Sequence, residues 1–207
     1  MKTLTFDLDF ISPYAYLAFE ALPQALQGLS YRVAYRPVLL AGLLKHHGQL
    51  GPAEIAAKRL WTYRQVQWLG REQQVPFDLP ASHPFNPLPL LRLALACSDG
   101  PYINRYVAQT VFHHVWQGGG EATDTQRMAA LAEQLQLRHS SDASEVKDRL
   151  RSNTDAAIAA GVFGVPTVTV DEQVFWGLDA LRMLRAYLQG DPWFAGAPWR
   201  DAAERPR

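Results

Sequence analysis

The sequence predicts an α/β fold in which a βαβ unit and a ββα unit are separated by an all-helical insertion. Three observations carry this. The opening residues to Pro37 read strand, helix, strand; residues 165–188 read strand, strand, helix; and the block between them holds helical patterns with no convincing strand. The division that follows is an α/β unit from residues 1–45 and 161–194, a helical insertion over 46–160, and a variable tail over 195–207.

Each element has its own signal. Thr3 to Phe10 (TLTFDLDF) alternates apolar and polar side chains, a strand pattern. Ser12-Pro13 follows, an N-cap serine and a proline at the first helical position, opening a helix from Tyr14 to Gln27 that Pro23 should kink or shorten. Tyr31 to Pro37 (YRVAYRP) alternates again, completing a βαβ unit with a parallel strand pair. In the middle block, Ala53 to Gln73 is helical, with Trp61, Val66, Trp68 and Leu69 available for packing. A proline-rich loop follows, then helices over Leu90–Cys97 and Ile103–Trp116. Thr123 with Gln126, and Asp142 with Glu145, have capping-box spacing and predict two further helix starts. Val168–Val170 and Val174–Trp176, joined by Asp171-Glu172-Gln173, predict an antiparallel hairpin, and Leu178–Leu188 a last helix.

Composition excludes several function classes. The chain has 207 residues, 48% hydrophobic and 19% charged, which suits one globular unit with an insertion. Its 20 basic and 20 acidic residues balance and are scattered, which argues against a nucleic-acid partner. No apolar run is long enough to span a membrane, and the first 15 residues do not read as a signal peptide. The single cysteine, Cys97, rules out an internal disulfide or a Cys-x-x-Cys redox centre and points to a reducing cytoplasm. His113-His114 are adjacent on a helix and face different ways, a poor metal pair, so no metal is expected.

DFISPYAYLA near the start, with GVFGVPTVTV and VFWGLDAL near the end, flank the helical block. This combination resembles the 2-hydroxychromene-2-carboxylate isomerase family, which is related to kappa-class glutathione transferases and to disulfide oxidoreductases of thioredoxin fold. The resemblance covers roughly the first 190 residues. It implies a thioredoxin-like fold, glutathione as cofactor, a small aromatic substrate and a homodimer.

The site residues divide between spacing and resemblance. By spacing alone Ser12 is an N-cap. The resemblance adds Val165-Pro166 as a cis-proline loop opening a later strand, which gives Ser12 an active-site role. A free thiol has a pKa of about 8.5. A helix N-terminus (roughly 0.3–1 kcal/mol) and a charge-assisted hydrogen bond (roughly 1.5–3 kcal/mol) together lower such a value by about 2 units. Ser12 is therefore expected to donate to the glutathione thiolate and not to be the nucleophile itself. The Val165 backbone is expected to pair with the cysteinyl unit as a short added strand. Backbone N–H groups at Leu178 and Asp179 are expected to hold the γ-glutamyl carboxylate, and the Asp179 carboxylate its ammonium group. Gln49 stands where the family usually has asparagine, and Lys58 where a cation can meet a glutathione carboxylate. Cys97, in the run LRLALAC, reads as core. The implied activity is a cis–trans isomerisation, in which a thiolate adds to a conjugated enone, the former double bond rotates, and elimination returns the cofactor. A kappa-like transferase and a non-enzymatic binding module remain as alternatives.

Overall fold

A computed structural model describes residues 1–202 of the chain. Among these residues the strands are β1 (Lys2–Leu8), β2 (Tyr31–Pro37), β3 (Thr167–Val170) and β4 (Gln173–Trp176). The helices are α1 (Pro13–Ala25), α2 (Leu40–His46), α3 (Ala56–Glu72), α4 (Leu88–Ala96), α5 (Arg105–Trp116), α6 (Thr125–Leu135), α7 (Ser144–Ala159), α8 (Leu181–Leu188) and α9 (Ala197–Asp201). One sheet forms in the order β2-β1-β3-β4. β1 and β2 are parallel, with Phe6 opposite Tyr35, while β3 is antiparallel to both β1 and β4. The parallel pair and the antiparallel hairpin are as the sequence predicts, and the two units join through β1 and β3.

Strand β1 is buried on both faces from Phe6 onward, which is why its alternation weakens there. On one face Leu4, Phe6, Leu8 and Phe10 enter a large core with Tyr16, Phe19, Phe112 and Trp116. On the other, Val38, Leu43, Ala157, Val162 and Val165 make a smaller core under the loop that carries the later site residues. Polar side chains fix the seams. Arg36 donates to both carboxylate oxygens of the buried Asp7, at 2.5 and 3.0 Å. From α7, Asn153 donates to Pro37 O and Pro101 O, and Thr154 accepts from Leu39 N. The insertion helix α7 is thereby tied to the end of β2.

Several local expectations are corrected. Helix α2 carries no N-terminal side-chain cap and was not expected. Trp61 and Trp68 do not pack inward: both are exposed on α3, whose buried residues are Val66 and Gly70. The cap of α6 is Asp124, whose carboxylate accepts from Gln126 N and Arg127 N, one residue after the predicted Thr123. Asp142 does not cap α7, which begins after Ala143 without a side-chain cap. Pro23 lies in the last turn of α1, which ends at Ala25, two residues short of the predicted Gln27, so this proline shortens the helix as expected. In the tail, Phe194 and Trp199 pack together with ring centroids 5.2 Å apart, and Phe194 meets Tyr187 of α8. Residues 203–207 of that tail lie outside the described residues.

Candidate active site

The loop between β1 and α1 is held at nearly every polar atom. Trp116 is fully buried and donates its indole N–H to Phe10 O at 3.0 Å. His83 reaches Ile11 O at 2.8 Å. Ser12 N donates to Asp9 O at 3.1 Å. The Asp9 carboxylate, itself fully buried, accepts from Ile11 N at 3.2 Å and from Leu40 N at 2.9 Å. Removal from water pushes Asp9 up to about 7, against the pull of its backbone donors. Such a loop has little freedom, and the residue it presents is Ser12.

Ser12 caps α1. Its hydroxyl oxygen accepts from Ala15 N at 3.2 Å and its O–H donates to Val165 O at 3.4 Å, across 153 residues of sequence. The Val165–Pro166 peptide is cis, as the resemblance implies. Pro13 lacks an N–H, so the first free donor of the helix is Tyr14 N, which has no acceptor among the described residues. Val165 N likewise donates to no protein group among them. The Ser12 hydroxyl, spent only on a 3.4 Å bond to Val165 O, stands at a helix N-terminus beside the free Tyr14 amide, and the residue it meets carries a free amide of its own: an arrangement that can take an anion, with a strand edge beside it.

The same loop leads to the next pair. Gly177 N donates to Pro166 O at 2.9 Å, and Gly177 adopts φ +97°, a conformation that turns the chain away from β4. Leu178 and Asp179 follow immediately. The amides of both lack acceptors among the described residues. Asp179 does not open α8, however: that helix starts at Leu181 with Ala180 as its cap, so both donors belong to a turn ahead of the helix. Ser12, Val165, and the Leu178–Asp179 pair thus sit on three separate connections, joined by the Ser12–Val165 and Gly177–Pro166 hydrogen bonds. Gln49 and Lys58 are not tied to them. Both side chains are exposed, on the segment between α2 and α3 and on the first turn of α3, without a hydrogen bond or ion pair to the other four among the described residues.

Other side chains sort clearly. Tyr16 and Trp116 are core residues and cannot line an acceptor pocket. Tyr14 remains half-buried, with its hydroxyl donating to Gln65 Oε1 on α3 at 2.6 Å. Phe163 and Trp176 pack with tilted rings, centroids 5.0 Å apart, beside the Val165 loop, with Trp176 exposed. Cys97 is half-buried on the C-terminal end of α4, its thiol pushed up to about 11 by burial. His113 bonds to Glu20 and His114 to Ala122 O, so the two rings serve different partners. Asp9, His83 and Tyr63 were missed by sequence reasoning. Asp9 sits within the strand pattern TLTFDLDF, where two aspartates flanked by apolar residues were the available signal.

A family model described as DSBA-like thioredoxin domain matches residues 3–189. A 2-hydroxychromene-2-carboxylate isomerase of Sphingobium xenophagum is 28% identical, covering 90% of this chain and 98% of its own. Glutathione S-transferase kappa 1 of Rattus norvegicus is 27% identical, covering 95% of each chain. A solved 2-hydroxychromene-2-carboxylate isomerase structure superposes with a TM-score of 0.79 at 24% identity, covering 99% of this chain and all of its own, a likeness of fold.

Proposed function

This chain belongs to the family of DSBA-like thioredoxin domains, and we propose that it is a glutathione-dependent enzyme: a cis–trans isomerase of an aromatic-degradation intermediate of the 2-hydroxychromene-2-carboxylate type. One observation carries the reading. The position facing the cis-proline loop holds serine, donating to Val165 O, where a redox relative would need a sulfur. The chain therefore offers an anion site and no sulfur of its own there.

The residues present fit the tripeptide. The Val165 N–H and C=O can pair with its cysteinyl unit as an added strand. The Leu178 and Asp179 amides suit the γ-glutamyl carboxylate, and the Asp179 carboxylate its ammonium group. Gln49 and Lys58, both exposed, are assigned to the remaining carboxylate on the resemblance. Glutathione, when bound, supplies a thiolate able to add reversibly to a conjugated double bond. Ser12 turns its O–H from Val165 O toward that sulfur, and the start of α1 adds its N–H and dipole.

A second reading, a kappa-like transferase, is supported by the rat relative at nearly the same identity. Reduced glutathione titrated into the protein in a calorimeter tests the shared part. Product analysis then separates the two: glutathione recovered unchanged supports the isomerase, and glutathione consumed supports the transferase. No heat of binding at millimolar glutathione would end both. A cytoplasmic homodimer belongs to the same proposal; the exposed Leu60, Trp61 and Trp68 on α3 offer an apolar face for a second copy.

A further inference from the structure

We propose that Tyr63 and His83 form a proton relay that opens and closes the cyclic hemiketal of an aromatic 2-oxo acid on the α3 side of Ser12, an inference that rests on the substrate class proposed above. His83 Nε2 lies 2.8 Å from Ile11 O. A carbonyl only accepts, so Nε2 carries the ring proton and Nδ1 is left as a lone pair. That lone pair lies 2.8 Å from the Tyr63 hydroxyl, which also lies 2.7 Å from His83 O. One phenolic proton thus faces two acceptors, and the phenol oxygen keeps lone-pair capacity for a ligand donor. Burial pulls the His83 imidazole below its usual range, so the ring is neutral near pH 7 and its Nδ1 lone pair is free to accept a proton.

The position fits a substrate bound beside the thiol site. Ile11, to which His83 is tied, immediately precedes Ser12. Two residues beyond Tyr63 on α3, Gln65 meets Tyr14, so α3 crosses the start of α1. Tyr63 itself is half-buried, with Arg59 one turn earlier as its charged neighbour. Neither partner is used by the thiolate chemistry.

The step balances without another reactant. The hemiketal hydroxyl passes its proton to the Tyr63 oxygen while Tyr63 passes its own to His83 Nδ1. The hydroxyl-bearing carbon becomes a carbonyl as its bond to the ring oxygen breaks. That oxygen leaves as a phenoxide and takes the proton back through Tyr63 from the imidazolium. The open form then presents the conjugated double bond on which isomerisation depends.

Ring opening needs no thiol, so the test omits glutathione. Exchange between the cyclic and open forms of 2-hydroxychromene-2-carboxylate is followed by NMR with the wild-type protein, Tyr63→Phe and His83→Gln. The glutamine keeps an N–H for Ile11 O and lacks the base. The expected result is acceleration by the wild type and a loss of roughly tenfold to a hundredfold of it in each variant. The affinity for the hemiketal should be nearly unchanged in His83→Gln, which makes no ligand contact, a split between rate and binding that misplacement alone would not give. No acceleration by the wild type, or full acceleration by either folded variant, overturns the relay; if Tyr63→Phe does not fold, His83→Gln decides. Acceleration in a protein that does not bind glutathione would sink the cofactor reading and leave the relay standing.

Discussion

Replacing Ser12 with alanine separates its two jobs. As a cap, its oxygen accepts from Ala15 N at 3.2 Å, and losing that bond costs about 1 kcal/mol of stability. For a chain of this size that is roughly 2–4 °C in melting temperature. As a donor, its O–H is available to an anion because its present acceptor, Val165 O, is neutral and held at a long 3.4 Å. A charge-assisted bond is worth roughly 1.5–3 kcal/mol, so its loss raises the pKa of bound glutathione by about 1–2 units and lowers turnover at neutral pH tenfold to a hundredfold. The helix N-terminus and Tyr14 N remain, so the pKa should not return fully to the free value. The assay is a pH titration of the ultraviolet thiolate band of the complex, wild type against variant, with turnover measured alongside. An unchanged thiolate titration with unchanged turnover would refute the reasoning, because the sulfur would then owe its ionisation to another group.

Three other perturbations follow from the site. Asp9 has its folded pKa raised to about 7 from 3.8, so the folded protein holds a proton that the unfolded chain has released; stability should fall as pH rises through that window, by up to about 1.4 kcal/mol per unit, and level off above it. Urea midpoints across the range check this, and Asp9→Asn should flatten the slope; a wild-type profile already flat there would contradict it. Gly177→Ala puts a methyl on a residue at φ +97° and 2.5 Å from Asp179 Oδ1, so it should cost about 1–2 kcal/mol and weaken glutathione binding, read by melting and calorimetry. Cys97→Ser should keep its turnover, since the thiol is held largely protonated and can pass its contact with Leu93 O to a hydroxyl; abolished activity in a folded variant would mean the reactive sulfur had been misplaced.

The sheet was legible because its signals are local. Alternation in YRVAYRP places β2 to the residue, and the Ser-Pro start places α1. The insertion was legible as helices but not in detail, because exposure there is set by tertiary packing. Trp61 and Trp68 have the apolar bulk that periodicity counts as core, yet face outward. Thr123 and Asp124 are both capping residues, and only the backbone chooses between them. Within the site, Ser12 and Val165 could be paired only through the resemblance, since 153 residues separate them and no spacing rule reaches that far. His83 gave no sequence signal at all. Its meaning comes from Ile11 O on one side and Tyr63 on the other, contacts made by a proline-rich loop without periodicity.

On the proposed reading, the arrangement around Ser12 lets a frame suited to disulfide chemistry serve an outside thiol. A Cys-x-x-Cys pair at the start of a helix works because the N-terminal sulfur is stabilised as a thiolate and the second lies one turn away to close the bond. In this chain those two places are Ser12 and Ala15, and Ala15 is fully buried. The stabilising parts survive: the helix start, the hydroxyl, the free amides and the cis-proline loop. Both sulfurs are gone, and Cys97 cannot replace them, being on α4 with its thiol pushed up to about 11. Losing only the second cysteine would have left a thiol able to form mixed disulfides. With neither sulfur present redox exchange has no thiol to use, and on the proposed reading the helix start serves a thiolate from outside, which suits reversible addition and elimination in place of electron transfer. On the proposed reading, that is the chemical difference between this chain and the redox branch of its family, and it resides in two side chains on one turn of α1.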